Sequence, residues 1–86
     1  MRFPTLFRRA DQALSEAEGA IRDLRIVRGA DRPRWLFRLD GRADALFEFE
    51  PSPLSPERRE GQRVRVGFRP APDSAGVYHA DWIAAA

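Results

Sequence analysis

Ala20-Ile-Arg-Asp-Leu-Arg-Ile-Val27 decides the fold of this chain, because it reads two ways. As a helix, Ala10, Ala13, Leu14, Ala17, Ile21 and Leu24 keep to one face, and the pattern runs through Gly19 to about residue 28. A mid-helix glycine costs only about 1 kcal/mol against alanine, so it does not forbid this. As a strand, Ile21, Leu24 and Ile26 share a face once a bulge near Arg22-Asp23 is allowed. The β-branched pair Ile26-Val27, and the stop offered by Glu18-Gly19, favour the strand.

Toward the C-terminus the same period of two recurs. It runs through Trp35-Leu-Phe-Arg-Leu39, Leu46-Phe-Glu-Phe-Glu50, Arg63-Val-Arg-Val-Gly-Phe-Arg69 and Val77-Tyr-His-Ala-Asp-Trp-Ile83. Between the runs lie Gly29-Ala-Asp-Arg-Pro33, Asp40-Gly-Arg-Ala-Asp44, Pro51-Ser-Pro-Leu-Ser-Pro56 and Pro70-Ala-Pro-Asp-Ser-Ala-Gly76, all rich in turn residues. Alternating runs bounded by Gly, Pro, Asp and Ser predict a mainly all-β domain, a five-stranded antiparallel barrel over residues 19–86. Toward the N-terminus the period changes. Phe3, Leu6, Phe7, Ala10, Leu14 and Ala17 fall at helical spacing, which predicts a helical extension over residues 1–18 that packs as a lid on the barrel. If the helix instead continued to residue 28, four strands would remain and the domain would be a helix packed on a sheet.

Composition narrows the class. Eighty-six residues, 43% hydrophobic and 33% charged, suit one globular domain with a modest core. No apolar run approaches the roughly 18 residues of a membrane span, and the basic start lacks the apolar stretch of a secretory signal. The chain has no cysteine, which removes disulfides and thiolate metal sites and fits a cytoplasmic setting. Net charge is only +2, yet every basic residue is arginine. Arginine-only usage follows either from GC-rich codon usage or from selection of guanidinium for bidentate grip on phosphate. Acidic residues are interspersed throughout, so no long basic block forms.

Gly19-Ala-Ile, Trp35-Leu-Phe-Arg-Leu, Leu46-Phe-Glu-Phe, Glu60-Gly-Gln-Arg-Val-Arg-Val and Ala80-Asp-Trp-Ile together resemble the cold-shock-domain branch of the OB-fold over about residues 19–84. Glu60-Gly-Gln-Arg-Val is the most specific of these pieces. The resemblance implies an OB-like barrel that binds single-stranded nucleic acid through exposed aromatics on its second and third strands. The glycines of the family's first stacking motif are missing here, and the histidine of the second is replaced at or beside Glu48. Alternation then groups Trp35, Phe37 and Leu39 on one face and Phe47 and Phe49 on another, and a small barrel fills its interior with such a set. Arg38 is expected outside, beside Glu48 and Glu50 across the strand pair.

Catalytic and metal chemistry is thin. His79 is the sole histidine; its nearest partner by alternation is Asp81, and no activated-serine signature accompanies them. Carboxylates are scattered, and Asp40-Gly-Arg-Ala-Asp44 lacks a calcium loop's ligand run and reads as a hairpin turn. The expectation is a non-enzymatic module without metal or cofactor. Its candidate binding set is Arg28, Arg32, Arg34, Trp35, Arg38, Tyr78 and His79, where arginine beside aromatics suits weak binding of single-stranded RNA or DNA. The alternative is a protein–protein or homodimerisation module, to which Glu48, Glu50 and the missing stacking motifs point. The resemblance tips the expectation to nucleic acid.

Overall fold

The computed structural model describes residues 13–29 and 32–86. The strands are β1 (Ser15–Arg28), β2 (Pro33–Leu39), β3 (Arg42–Phe49), β4 (Arg63–Phe68) and β5 (Val77–Ala85). They close a barrel in the order β1-β2-β3-β5-β4, an arrangement compatible with an OB-like fold. The barrel is not antiparallel throughout: β3 and β5 run parallel, with Leu46 beside Val77 and Phe49 beside Ala80. This corrects the fully antiparallel expectation, and the reason is arithmetic. Strand directions cannot alternate all the way round a ring with an odd number of members.

The Ala20–Val27 run is strand, and it carries the expected bulge. Register with β2 slips between Arg22 and Arg25, and Asp23 takes a left-handed φ of 55°. The Glu60 carboxylate closes the bulge by accepting the N–H groups of Asp23 and Leu24, each at 3.0 Å. The bend lets one strand serve two neighbours: Ser15–Ala20 pair with β4, and residues from Ile21 onward pair with β2. The predicted helix over residues 1–18 falls mainly on residues 1–12, which lie outside those described. Its last part is corrected, because Ser15–Glu18 belong to β1. Ala17 points into the core there while Glu16 and Glu18 point out, and Glu18 lies 3.5 Å from Arg63 and 3.6 Å from Arg65 of β4. Tertiary pairing overrides the helical spacing of Leu14 and Ala17.

Gly19 has a steric role at the turn of the barrel wall. A Cβ there would lie 2.7 Å from Asp40 Oδ1, the same oxygen that accepts the Ala20 N–H at 2.8 Å. Gly67 leaves room for the Trp82 indole in the same way. Asp40-Gly41 turns β2 into β3 as expected, with Gly41 at φ +82°.

Inside, Ile21, Phe37, Leu39, Phe47, Val64 and Val66 are fully buried. Phe37 stacks on Phe47, and Phe68 meets Phe47 edge-on at a centroid distance of 5.1 Å. Among the described residues no polar or charged side chain is buried, so the interior is an apolar plug rather than a cavity. No helix of the described residues is long and apolar enough to cross a membrane.

Candidate functional site

Alternation along β2, β3 and β5 turns Arg34, Glu48, His79 and Asp81 to the outer wall, and the register brings them together. Glu48 lies opposite Leu36 on β2 and beside His79 on β5. One Glu48 oxygen accepts from Arg34 at 2.9 Å, and the other faces His79 Nδ1 at 3.1 Å. His79 Nε2 lies 2.9 Å from Asp73, in the loop before β5. Arg32 pairs with Glu50, and Arg69 with Asp81 at 3.4 Å. The three arginines with Glu48, Glu50, His79 and Asp81 line an open groove of about 560 Å³. Every arginine on it already faces a carboxylate, so the groove is a mosaic of both signs rather than a phosphate track.

Asp73 organises the loop end of this face. Its carboxylate accepts the Val77 N–H at 3.0 Å and the Ala75 N–H at 2.8 Å while holding His79. These bonds, the one from Val77 foremost and the His79 ring next, hold its carboxyl below the usual carboxylate range. Both ring nitrogens of His79 therefore face carboxylate oxygens, an arrangement in which only the imidazolium donates twice.

A second groove, of about 310 Å³, opens on the other side of the β1–β2 ribbon. Leu24, Ile26, Pro33 and Trp35 form its apolar wall, and Arg28, Glu57 and Arg58 form its rim. Ile26 sits opposite Trp35 in the ladder and is 52% exposed, which is unusual for a large apolar side chain in a strand. Trp35 is half-buried, its ring tilted against Phe49 at 5.6 Å.

The expected binding residues thus fall into separate places. Arg32, Arg34 and His79 come together on the outer face, each on a carboxylate. Arg28 and Trp35 share the second groove. Tyr78 is half-buried and packs against Phe47 and Phe68, at 5.9 and 5.5 Å, on the core side of the wall away from the outer-face mosaic. Arg38 is not beside Glu48 and Glu50; it donates to the Ala43 carbonyl and lies 3.8 Å from Asp23. The β2–β3 register sets Glu48 opposite Leu36 rather than Arg38, and the slip between Phe37 and Leu39 comes beyond that pair. His79 faces Glu48 and Asp73 rather than Asp81, which pairs with Arg69 instead.

Sequence reasoning missed the role of Asp73, because a loop aspartate six positions before a histidine carries no periodic signal. It also missed the second groove, although two adjacent β-branched residues at Ile26-Val27 put one apolar side chain on each face of the ribbon. Among the described residues, no group of histidine and acidic side chains is arranged to hold a metal ion. Comparison of the chain with family models, with curated proteins and with solved structures gave no match.

Proposed function

We propose that this barrel is a non-enzymatic OB-like binding module whose ligand is a protein. The observation that carries the reading is the linked set Arg34, Glu48, His79 and Asp73, flanked by Arg32–Glu50 and Arg69–Asp81. A single strand laid across β2 and β3 would meet these carboxylates, and of the aromatics on those strands Phe37 and Phe47 lie inside the barrel while Trp35 and Phe49 are half-buried on the side away from them. A mosaic of alternating charge fixes register and rejects wrong partners at protein interfaces. The kinship with cold-shock domains and the cytoplasmic setting belong to the same proposal; they rest on Glu60-Gly-Gln-Arg-Val and on the lack of cysteine.

Weak binding of single-stranded nucleic acid is the second reading. The observation favouring it is Arg28 and Arg58 beside the half-buried Trp35 indole, a guanidinium-and-ring pairing that suits a stacked base. Fluorescence anisotropy with oligo-dT and oligo-U across a salt series separates the two. The protein reading expects no binding at low salt. Binding whose log–log salt slope is about −0.7 per phosphate, and which weakens in Trp35→Ala, would replace it with the nucleic-acid reading. Turnover of ester, phosphate or nucleic-acid substrates that vanishes in His79→Ala would overturn the non-enzymatic assignment.

A further inference from the structure

Past its bulge, β1 has a strand on one side only. Arg25–Arg28 pair with Leu36–Pro33 of β2, whereas β4 pairs with Ser15–Ala20. Glu60 takes the amides of Asp23 and Leu24, and among the described residues no loop backbone hydrogen-bonds to Arg25–Arg28. In an antiparallel ladder alternate residues turn their N–H and C=O away from the neighbour. The open side of Arg25–Arg28 therefore presents backbone donors and acceptors in strand geometry, and this edge borders the groove of Leu24, Ile26, Pro33 and Trp35.

The surroundings select the occupant. Open strand backbone takes an extended chain, whose side chains alternate. Those pointing into the groove meet apolar walls and must be apolar. Those on the opposite face meet the exposed Arg25, and the mouth of the groove carries the same sign in Arg28 and Arg58 against the lone Glu57, so they must be acidic. A second copy of this chain fits poorly. Two-fold antiparallel pairing centred on Ile26 would set Arg25 of the two copies diagonally across one face of the ladder, pairing centred on Val27 would do the same to Arg28, and like charges within reach across a ladder destabilise it. We infer that Arg25–Arg28 is a strand-addition site for an extended segment of a partner protein in which acidic and apolar residues alternate. The inference rests on the protein-binding reading above.

The test uses the full chain with two fluorescein-labelled peptides, one alternating glutamate with valine and one alternating lysine with valine, and with oligo-dT. The glutamate peptide should bind saturably and the lysine peptide should not. Amide exchange at Arg25–Arg28 should slow in the complex. Arg25→Glu combined with Arg28→Glu should weaken the glutamate peptide at least about tenfold and transfer binding to the lysine peptide. Both side chains are exposed, so an unchanged melting temperature shows that the double variant still folds. Failure of the glutamate peptide to bind overturns the edge assignment; if oligo-dT binds in the same assay, the protein reading falls with it. Binding that perturbs Arg32, Arg34 and Glu48 but not Arg25–Arg28 overturns the edge assignment and leaves the protein reading standing. A concentration-dependent rise in mass that protects Arg25–Arg28 would give the edge to a second copy instead.

Discussion

β1 is one strand with two lives. Its first half, Ser15–Ala20, is a wall: β4 lies along it, Ala17 and Ala20 are buried, and Gly19 touches the Asp40 carboxylate so closely that no side chain fits. Its second half, Arg25–Arg28, has β2 alone for a neighbour and leaves Ile26 and Val27 exposed. Residue types do not separate the halves, since both mix apolar with charged side chains. What separates them is the bend at Asp23, which carries the strand off β4. The lesson is that partner count, rather than propensity, decides whether a strand is scaffold or surface.

Substitutions along β1 should therefore fall in a steep order. Ile21→Ala, at the fully buried junction of the two halves, should cost about 2–5 kcal/mol of stability in a urea titration. A cost near zero would mean the wall is not packed as described. Gly19→Ala should cost about 1–3 kcal/mol, because its Cβ must displace Asp40 from the amide it caps.

The bulge itself should respond to acid. The amides of Leu24 and Asp23, with Arg22 nearby, hold the Glu60 carboxyl below its usual range. A depressed native value means the stabilisation is present above the unfolded carboxyl's titration range and is lost as pH falls through the lower native value. Glu60→Gln should remove that part of the acid sensitivity, while Asp73, shifted in the same direction, keeps its own. A variant whose denaturation midpoint follows pH as the parent's does would show that the latch carries no charge-dependent stability. The smallest effect belongs to Ile26→Ala, within about 0.5–1 kcal/mol, since the side chain is already half in water. That variant should instead weaken the glutamate–valine peptide.

Much of this was legible beforehand. Period-two patterning located β2, β3, β4 and β5 and the inward Phe37, Leu39 and Phe47, while Trp35 and Phe49 of the same set are only half-buried. The bulge near Arg22-Asp23 was readable because Ile21, Leu24 and Ile26 cannot otherwise share a face. The start of β1 was not readable. Ala17 satisfies a helical and an extended pattern equally, and only the ladder with β4, far along the chain, decides for the strand. The candidate site was legible as a list but not as a place. Alternation tells which face a residue takes, whereas the pairing of Glu48 with Leu36 and the reach of Asp73 are matters of register and loop path. Hence Arg34 and His79 came together, while Arg38 and Tyr78 went elsewhere.

The place of β5 between β3 and β4 also leaves a gap in the ring until the last of the five strands is made. Until β5 is in place, β4, β1, β2 and β3 form an open ribbon of strands with two bare margins, Leu46–Phe49 at one and Val64–Phe68 at the other. Both margins carry phenylalanine, and both are closed by the same nine-residue segment, Val77–Ala85. Closure joins residues about thirty positions apart, which makes it slow relative to the hairpins. On the ribosome the half-made sheet must wait for its last strand, and during that wait it is most open to pairing with the wrong chain.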